Sequence, residues 1–170
     1  MTVKINDIIK KKIRKINLII SDVDGVLTDG GMYYSSDGEI MKKFNTKDGM
    51  GVELLKNHDI QTVLITKEQN NIVKKRADKL KIKDVYMGIK NKEILLPQIT
   101  KKFVITNDEI AYIGDDVNDV SIMKKVGFTA CPANAIDSVK EIVDYVCTKN
   151  GGEGSFREVV DLILSIKQKN

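Results

Sequence analysis

Five aspartates follow two apolar runs of the sequence, and their carboxylates are the groups best suited to chemistry. They are Asp22, Asp24, Asp115, Asp116 and Asp119. Carboxylates held close together repel one another unless a cation lies among them. No His or Cys stands beside them in the sequence, and hard oxygen ligands without nitrogen or sulfur favour Mg²⁺. Because Mg²⁺ keeps several waters and binds phosphate oxygens, the set predicts phosphoryl transfer.

The pair Asp22 and Asp24 has the spacing of a nucleophile and an acid/base partner. Residues two apart in an extended segment share a face, so both carboxylates could reach one substrate. Asp22 could attack phosphorus and form an acyl-phosphate. Asp24 could protonate the leaving oxygen and then deprotonate the hydrolytic water. If the chain turns after Asp22, the backbone carbonyl of Asp24 could also face the cation.

Thr66 and Lys92 could act on the same phosphoryl group. Thr66 ends the second apolar run and could donate its hydroxyl and its backbone N–H, while Lys92 could neutralise charge in the transition state. Plainer interpretations stay open. Thr66 and the aspartates could cap helices, and Lys92, like the nearby Lys90, could be solvated.

Strand and helix patterns alternate along the chain, which predicts how these residues are positioned. Short apolar runs typical of buried parallel strands occur at residues 16–21, 60–66, 85–87, 110–114, 128–131 and 144–147. Helical patterns occur at residues 49–57, 70–80, 92–103, 117–126 and 154–167. Pro97 should kink the third helix or end its first part. We therefore expect an α/β fold with a doubly wound parallel sheet, which binds ligands at the carboxyl ends of its strands.

Residues 30–44 break this rhythm with the pattern strand, turn, strand. The turn is residues 36–38 (SDG), and Asp-Gly between two extended runs is a hairpin signal. We expect a β-hairpin inserted after the first strand. Because the chain has 170 residues and shows no linker or internal repeat, residues 1–170 are predicted to form one domain.

Composition argues against several other classes of protein. The chain carries 28 Lys and Arg against 24 Asp and Glu, and 42% of its residues are hydrophobic, as in an ordinary globular protein. No apolar run approaches the roughly 18 residues of a membrane span, and the first residues lack a signal-peptide pattern. We therefore expect a cytoplasmic protein without a membrane partner. Cys131 and Cys147 have no metal-ligand spacing and are predicted to be free thiols.

A basic cluster at residues 10–15 is the one feature that could indicate nucleic acid. It has no interleaved aromatic residues and no nucleic-acid-binding motif. We interpret it as the solvated face of an opening helix, with Ile8, Ile9 and Ile13 facing inward. No nucleic-acid partner is predicted.

Taken in order, the motifs resemble those of the haloacid dehalogenase superfamily of phosphatases. They are DVDGVLT from Asp22, then Thr66, then Lys92, then GDDVND from Gly114. Residues 22–30, 44–51, 111–119 and 151–158 are more closely similar to the 3-deoxy-D-manno-octulosonate 8-phosphate (KDO 8-phosphate) phosphatases. The resemblance implies a Rossmann-like haloacid dehalogenase fold without a cap domain. It also implies an Mg²⁺-dependent phosphoric monoester hydrolase of KDO and lipopolysaccharide synthesis. Such an enzyme hydrolyses a phosphorylated 3-deoxy-2-ulosonic acid through an aspartyl-phosphate, here on Asp22.

The resemblance also assigns roles to the site residues. The Mg²⁺ ligands would be Asp22, the backbone carbonyl of Asp24, and Asp115. Asp116 and Asp119 would orient Lys92 and the metal-bound waters. The residues that would contact the sugar-acid phosphate are Asn45, Thr46, Lys47, Asp48, Gly49, Lys67, Glu68, Arg76 and Lys92. For Arg76, an exposed position without substrate contact stays open.

Members of that family are homotetramers in which a hairpin from each subunit helps build the assembly and the neighbouring active site. Residues 30–44 match that hairpin, and its Met32, Tyr33 and Tyr34 would be costly to leave in water. The resemblance therefore implies a homotetramer.

Two departures from the family pattern bear on the identity of the sugar. Octulosonate phosphatases usually have Thr-Gly-Arg after the second strand and Gly-Gly-Arg-Gly near the C-terminus. This chain has Thr66-Lys67-Glu68 in the first place and Glu153 instead of arginine in the second. The segment Lys67-Glu68-Gln69-Asn70 is more similar to phosphatases of nonulosonate 9-phosphates, N-acylneuraminate (sialic acid) among them, and to domains linked to cytidylyltransferases. Two alternatives therefore stay open: a nonulosonate 9-phosphate phosphatase, and a non-catalytic assembly domain that partners a cytidylyltransferase.

Overall fold

Six parallel strands form the central sheet of the structure, a computed structural model that describes residues 5–168. In chain order the strands are β1 (Leu18–Ser21), β2 (Tyr33–Ser35), β3 (Gly38–Met41), β4 (Gln61–Ile65), β5 (Asp84–Tyr86), β6 (Ile110–Ile113), β7 (Phe128–Cys131) and β8 (Tyr145–Val146). The order across the sheet is β5-β4-β1-β6-β7-β8, and β2 and β3 form a separate antiparallel hairpin. The strand order reverses between β1 and β6, and ligands bind at such a reversal.

Helices cover both faces of the sheet. They are α1 (Asp7–Arg14), α2 (Thr46–Lys56), α3 (Asn71–Lys79), α4 (Leu96–Phe103), α5 (Val120–Met123), α6 (Asp137–Lys140) and α7 (Ser155–Lys167). Successive side chains of a strand point to opposite faces, and β1 is buried on both. Ile19 packs with α1, α2, α3 and α7, whereas Leu18 and Ile20 pack with α4, α5 and α6. The predicted doubly wound parallel sheet with an inserted hairpin is thus confirmed.

Two predicted helices begin with a tight turn instead of regular α-helix. Lys92–Leu95 forms a 3₁₀ turn that leads into α4, and Pro97 lies in the first turn of α4. A proline is tolerated there because the N–H that it lacks would have no helical partner. Val117–Asp119 forms a second 3₁₀ turn before the short α5. Both tight turns carry residues of the predicted site.

Three details differ from the sequence prediction. α2 begins at Thr46 rather than at residue 49, because the Asn45 side chain caps it by accepting the Lys47 N–H at 2.9 Å. α6 was not predicted, since four residues are too few to show a helical period. Ile8 is 71% exposed rather than inward, and only Ile13 of α1 is fully buried. Within residues 5–168, the structure contains no helix with both the length and the apolarity that a bilayer span requires.

Candidate active site

The loop that follows β1 places Asp22 at the carboxyl end of the sheet. The Asp22 N–H donates to the Ile113 carbonyl, which continues the pairing of β1 with β6 by one residue. The chain then turns, and the backbone N–H groups of Val26, Leu27 and Thr28 all donate to the Val23 carbonyl. This tight turn brings residue 25 against the end of β6.

Gly25 is required at that turn for two reasons. Its φ is +85°, a conformation that L side chains rarely adopt. A Cβ on Gly25 would also lie 2.0 Å from Asp115 Oδ2, a contact that no side chain could make. The glycine therefore lets the loop after β1 approach the carboxylate that follows β6.

Three carboxylates converge at this edge of the sheet. Asp22, Asp115 and Asp119 each offer an oxygen within 4.8 Å of the others. Both carboxylate oxygens of Asp119 already accept two hydrogen bonds each. Its Oδ1 accepts hydrogen bonds from Lys92 and from the Tyr112 hydroxyl, both at 2.6 Å, and its Oδ2 accepts the backbone N–H groups of Asp115 and Asp116. Asp119 is therefore placed to hold its neighbours in position.

Asp115 has the opposite character. Its Oδ1 is buried, yet within the described residues it has no hydrogen-bond partner. An unpaired buried oxygen of this kind is costly unless a cation or water satisfies it. With Asp22 beside it and only oxygen donors in the cluster, the residues present fit a divalent cation such as Mg²⁺.

Lys92 supplies a positive charge beneath the cluster. It is 0% exposed, and its Nζ lies 2.9 Å from Asp22 Oδ1 and 2.6 Å from Asp119 Oδ1. One ammonium thus pairs with two of the three carboxylates. Burial, and then the charge of Asp119, raise the pKa of Asp22 against the opposing effect of Lys92. Burial, and then the charges of Asp22 and Asp119, raise the pKa of Asp115 to about 8. A second cation would relieve this crowding.

A cavity of about 140 Å³ opens over the carboxylates. Its walls are formed by Asp22, Asp24, Thr66, Lys67, Glu68, Asp115, Asp116 and Asn118. Thr66 is buried, and its N–H donates to the Tyr86 carbonyl while its Oγ1 accepts the Glu68 N–H. Asp116 caps the 3₁₀ turn after β6 by accepting the Val117 N–H. The predicted residues of the reaction thus meet in one place, with Lys92 behind the wall.

Most of the predicted substrate residues lie outside this cavity in the single chain. Arg76 donates to the Asn45 carbonyl at 3.1 Å and lies over the Phe44 ring. Gly49 is pressed against Arg76, since a Cβ there would lie 2.9 Å from the guanidinium.

Lys47 lines a separate cavity of about 440 Å³. Thr46 is exposed at the start of α2. Among the predicted substrate residues, only Lys67 and Glu68 line the acidic cavity itself.

The Asp48 side chain is buried and accepts a hydrogen bond from the backbone of another helix. It is 2% exposed, and its Oδ1 accepts the Arg157 N–H at 2.9 Å, in the first turn of α7. Burial raises the pKa of Asp48 to about 6, although the Arg157 N–H and the charges of Arg76 and Arg157 oppose the shift. In this structure Asp48 joins α2 to α7, and its substrate contact stays a prediction.

The Asp48→Asn variant should change how stability depends on pH. The pKa of Asp48 in the folded state, about 6, exceeds its ordinary value of 3.8. The folded state therefore binds the proton more tightly, and ionised Asp48 lowers the free energy of unfolding as pH rises from about 4 to 6. We expect the unfolding free energy of Asp48→Asn, relative to the wild type, to rise by about 2 kcal/mol between pH 4.5 and 7.5.

Urea titrations at several pH values would measure this difference. Asp78→Asn is the matched control, because Asp78 is exposed on α3, and its difference from the wild type should not change with pH. A pH-independent difference for Asp48→Asn would contradict the role given to burial.

Three residues near the site were not predicted from the sequence. Lys42 donates to Asp24, Tyr112 donates to Asp119, and Asn118 lines the cavity. Asn118 lies inside the GDDVND motif, and that position was the signal for it. Tyr112 is a polar aromatic in an otherwise apolar strand, which usually means a buried partner for its hydroxyl. Lys42 gave no comparable signal.

Comparison with known proteins places the chain among enzymes of one kind. Residues 4–157 match the family model described as haloacid dehalogenase-like hydrolase. The 3-deoxy-D-manno-octulosonate 8-phosphate phosphatase of Haemophilus influenzae is 37% identical over 161 residues, which cover 95% of this chain and 89% of the relative. The enzyme of that name from Escherichia coli K12 is 39% identical over 158 residues, covering 93% and 84%.

Solved structures of such proteins share the fold. The 3-deoxy-D-manno-octulosonate 8-phosphate phosphatase of Moraxella catarrhalis, in complex with magnesium, phosphate and KDO, superposes with a TM-score of 0.90 at 37% identity. The match covers 94% of this chain and 92% of that one. The cobalt-bound phosphatase of Haemophilus influenzae also has a TM-score of 0.90 at 37% identity, covering 93% and 92%.

Proposed function

Because the chain belongs to the haloacid dehalogenase-like hydrolases and is a phosphatase, we propose that its substrate is the phosphate ester of a 3-deoxy-2-ulosonic acid. The substrate that we propose is 3-deoxy-D-manno-octulosonate 8-phosphate, which would give the protein a role in KDO and lipopolysaccharide synthesis. The observation that carries the reaction is the meeting of Asp22, Asp115 and Lys92 beneath a cavity that Asp24 also lines. The sugar is suggested by relatives that act on it.

In the proposed first step, Asp22 attacks phosphorus. Lys92 and the Val23 N–H both hold Asp22 Oδ1, so Oδ2 is the oxygen left to attack. The bond from phosphorus to the sugar oxygen breaks, and Asp24 gives that oxygen a proton. The products of this step are the free sugar acid and an aspartyl-phosphate on Asp22.

In the second step, Asp24 takes a proton from water and the water oxygen attacks the phosphorus of the aspartyl-phosphate. The bond from phosphorus to Asp22 breaks, which releases phosphate and restores the carboxylate. Lys92 would neutralise charge on the phosphoryl group in both steps, and the Thr66 hydroxyl would donate to it.

The proposed cation site consists of Asp22, Asp115 and the backbone carbonyl of Asp24. When bound, Mg²⁺ would neutralise the crowded carboxylates and the charge of the phosphoryl oxygens. Asp119 and Asp116 would support this site without binding the cation. Asp119 fixes the backbone of residue 115 and the ammonium of Lys92, and Asp116 fixes the turn that follows.

One observation favours a second sugar. Glu68 lines the acidic cavity where octulosonate phosphatases usually have an arginine, and the segment around it, residues 67–70, is more similar to phosphatases of nonulosonate 9-phosphates. A nonulosonate 9-phosphate is therefore the second candidate. Glu153, the other departure, lines the separate cavity of Lys47 instead.

Phosphate release from octulosonate 8-phosphate and from N-acetylneuraminate 9-phosphate, measured side by side with Mg²⁺ and with EDTA, tests the proposal. We expect fast release from the octulosonate ester with Mg²⁺ only. Faster release from the neuraminate ester would correct the sugar but keep the reaction. No release from either ester, or from other sugar phosphates, would favour the assembly domain that partners a cytidylyltransferase.

We also propose that the hairpin joins subunits into a homotetramer. Met32, Tyr34, Ile40 and Met41 are each more than half exposed on the hairpin, which is a large apolar surface for one small element. The double variant Tyr34→Lys, Ile40→Lys should sediment as a smaller species than the wild type. Ile8→Lys, which changes an exposed isoleucine on α1, should leave the mass unchanged. A wild type that sediments as a single chain would contradict the proposal.

A further inference from the structure

A buried lysine connects the hairpin to Asp24. Lys42 directly follows β3, and its side chain is 2% exposed. Its Nζ donates to Asp24 Oδ1 at 2.7 Å and lies 2.8 Å from Glu39 Oε1, an ion pair along the same strand. A lysine is rarely buried unless it is paired, because removing an ammonium from water is costly. Here two carboxylates offset that cost.

The second carboxylate is itself anchored. Glu39 Oε2 accepts a hydrogen bond from Asn70 Nδ2 at 2.5 Å. Asn70 is the N-cap of α3, where its Oδ1 accepts the Ile72 N–H at 2.7 Å. The side-chain amide of Asn70 therefore holds the start of α3 with one end and Glu39 with the other. Lys42 is fixed through Glu39 to a helix of the central fold, and not only to the exposed hairpin.

The contact with Lys42 distinguishes the two oxygens of Asp24. Oδ1 accepts the ammonium, whereas Oδ2 is buried and has no hydrogen-bond partner within residues 5–168. The ammonium therefore fixes one oxygen of the carboxylate, and the Asp24 side chain, which is 29% exposed, lines the acidic cavity.

We propose that Lys42 is a positioning residue that holds the Asp24 carboxylate at the acidic cavity, in the place from which it reaches the leaving oxygen. This inference rests on the proposed function, because that function gives Asp24 the role of acid and base. It also makes the hairpin a part of the site within its own chain. Lys42 touches Asp24 and acts on the substrate only through it.

The leaving group offers a readout that a merely structural role would not move. A sugar alcohol leaves phosphorus slowly unless it is protonated, whereas p-nitrophenolate leaves without help. If Asp24 is displaced, it protonates the leaving oxygen poorly. Hydrolysis of the sugar ester should then become slower, whereas hydrolysis of the nitrophenyl ester should change little. The parameter to compare is kcat/KM, which reports the steps up to transfer of the phosphoryl group to Asp22.

The experiment compares Lys42→Met, Lys42→Arg and the matched control Lys43→Met on both esters with Mg²⁺. Lys43 is the exposed neighbour, and its ion pair with Asp29 is 3.5 Å long. For Lys42→Met we expect kcat/KM to fall about 100-fold on the sugar phosphate that the wild type hydrolyses. On p-nitrophenyl phosphate it should fall less than about 3-fold, and KM should change little on either ester. Lys42→Arg should recover most of the loss, and Lys43→Met should match the wild type.

Equal losses on the two esters, or no loss on the sugar phosphate, would overturn the inference. If Lys42→Met does not fold, Glu39→Gln takes its place, because it loosens the Lys42 anchor and keeps the ammonium. The same selective loss, in smaller measure, is then expected, and an equal loss on both esters again overturns the inference.

A crystal structure of Lys42→Met separates this inference from the proposed function. If the wild type hydrolyses no phosphate ester, the proposed function fails, whatever Lys42 does. The position of the Asp24 carboxylate in that crystal structure then tests the positioning role independently of activity. A carboxylate that turns away from its wild-type position supports the role, and one that stays in place overturns it.

Discussion

Asp22→Asn should lower kcat for the sugar phosphate by roughly 10⁴-fold or more, as loss of a covalent nucleophile does. An amide oxygen cannot replace the carboxylate oxygen that attacks phosphorus. The fold should survive. Burial and the charge of Asp119 raise the pKa of Asp22, so without a bound cation the ionised form destabilises the folded state at pH 8. Removing that charge should leave the free energy of unfolding unchanged or higher in EDTA.

Activity and stability must therefore be measured on the same preparation. Asp78→Asn, an exposed aspartate of α3, controls for the chemistry of the substitution and should keep both properties. If Asp22→Asn kept more than about a tenth of the activity, the nucleophile would lie elsewhere. If it lost activity together with its fold, the result would instead contradict the electrostatic account of the site.

Lys92→Met should have the largest combined effect on stability and rate. The ammonium of Lys92 is fully buried between Asp22 and Asp119. Removing one partner of a buried ionic cluster leaves the others uncompensated and costs about 3–5 kcal/mol. We expect the free energy of unfolding in EDTA to fall by that amount. Loss of its charge from the phosphoryl group should lower kcat by roughly 10²- to 10³-fold.

Lys90→Met is the matched control, since Lys90 is exposed two residues before Lys92. Its free energy of unfolding should stay within about 0.5 kcal/mol of the wild type, and its kcat should not change. Thermal melts and phosphate release measure the two properties. A Lys92→Met protein with wild-type activity, or a Lys90→Met protein without activity, would show that the wrong lysine has been assigned.

The position of the site could be predicted because it depends on strand order and strand ends. Asp22 and Asp115 each follow an apolar strand, and β1 and β6 are neighbours in the sheet. Parallel strands bring their carboxyl ends to the same edge. Whether Lys92 is buried in the site or solvated like Lys90 could not be predicted from the pattern. It depends on the 3₁₀ turn at Lys92–Leu95, which directs one of the two lysines inward.

Contacts between segments that are distant in the chain could not be predicted from the sequence. The resemblance grouped Asp48 and Arg76 with the substrate, yet Asp48 accepts the N–H of Arg157, 109 residues away. Lys42 was missed for the same reason, because its burial depends on Asp24 in another loop. Ile8 was predicted inward from the helical period, but α1 is amphipathic with a narrow buried stripe centred on Ile13.

The central claim is that Asp22 itself carries the phosphoryl group. The direct test is to mix Asp24→Asn with p-nitrophenyl phosphate and Mg²⁺, quench in acid within milliseconds, and locate the phosphate by peptide mass spectrometry. Because p-nitrophenolate needs no acid and water lacks its base in this variant, the intermediate should accumulate. We predict one phosphate per chain on the peptide that contains Asp22. Release of p-nitrophenolate with no phosphate on that peptide, or with phosphate on another residue, would contradict the account.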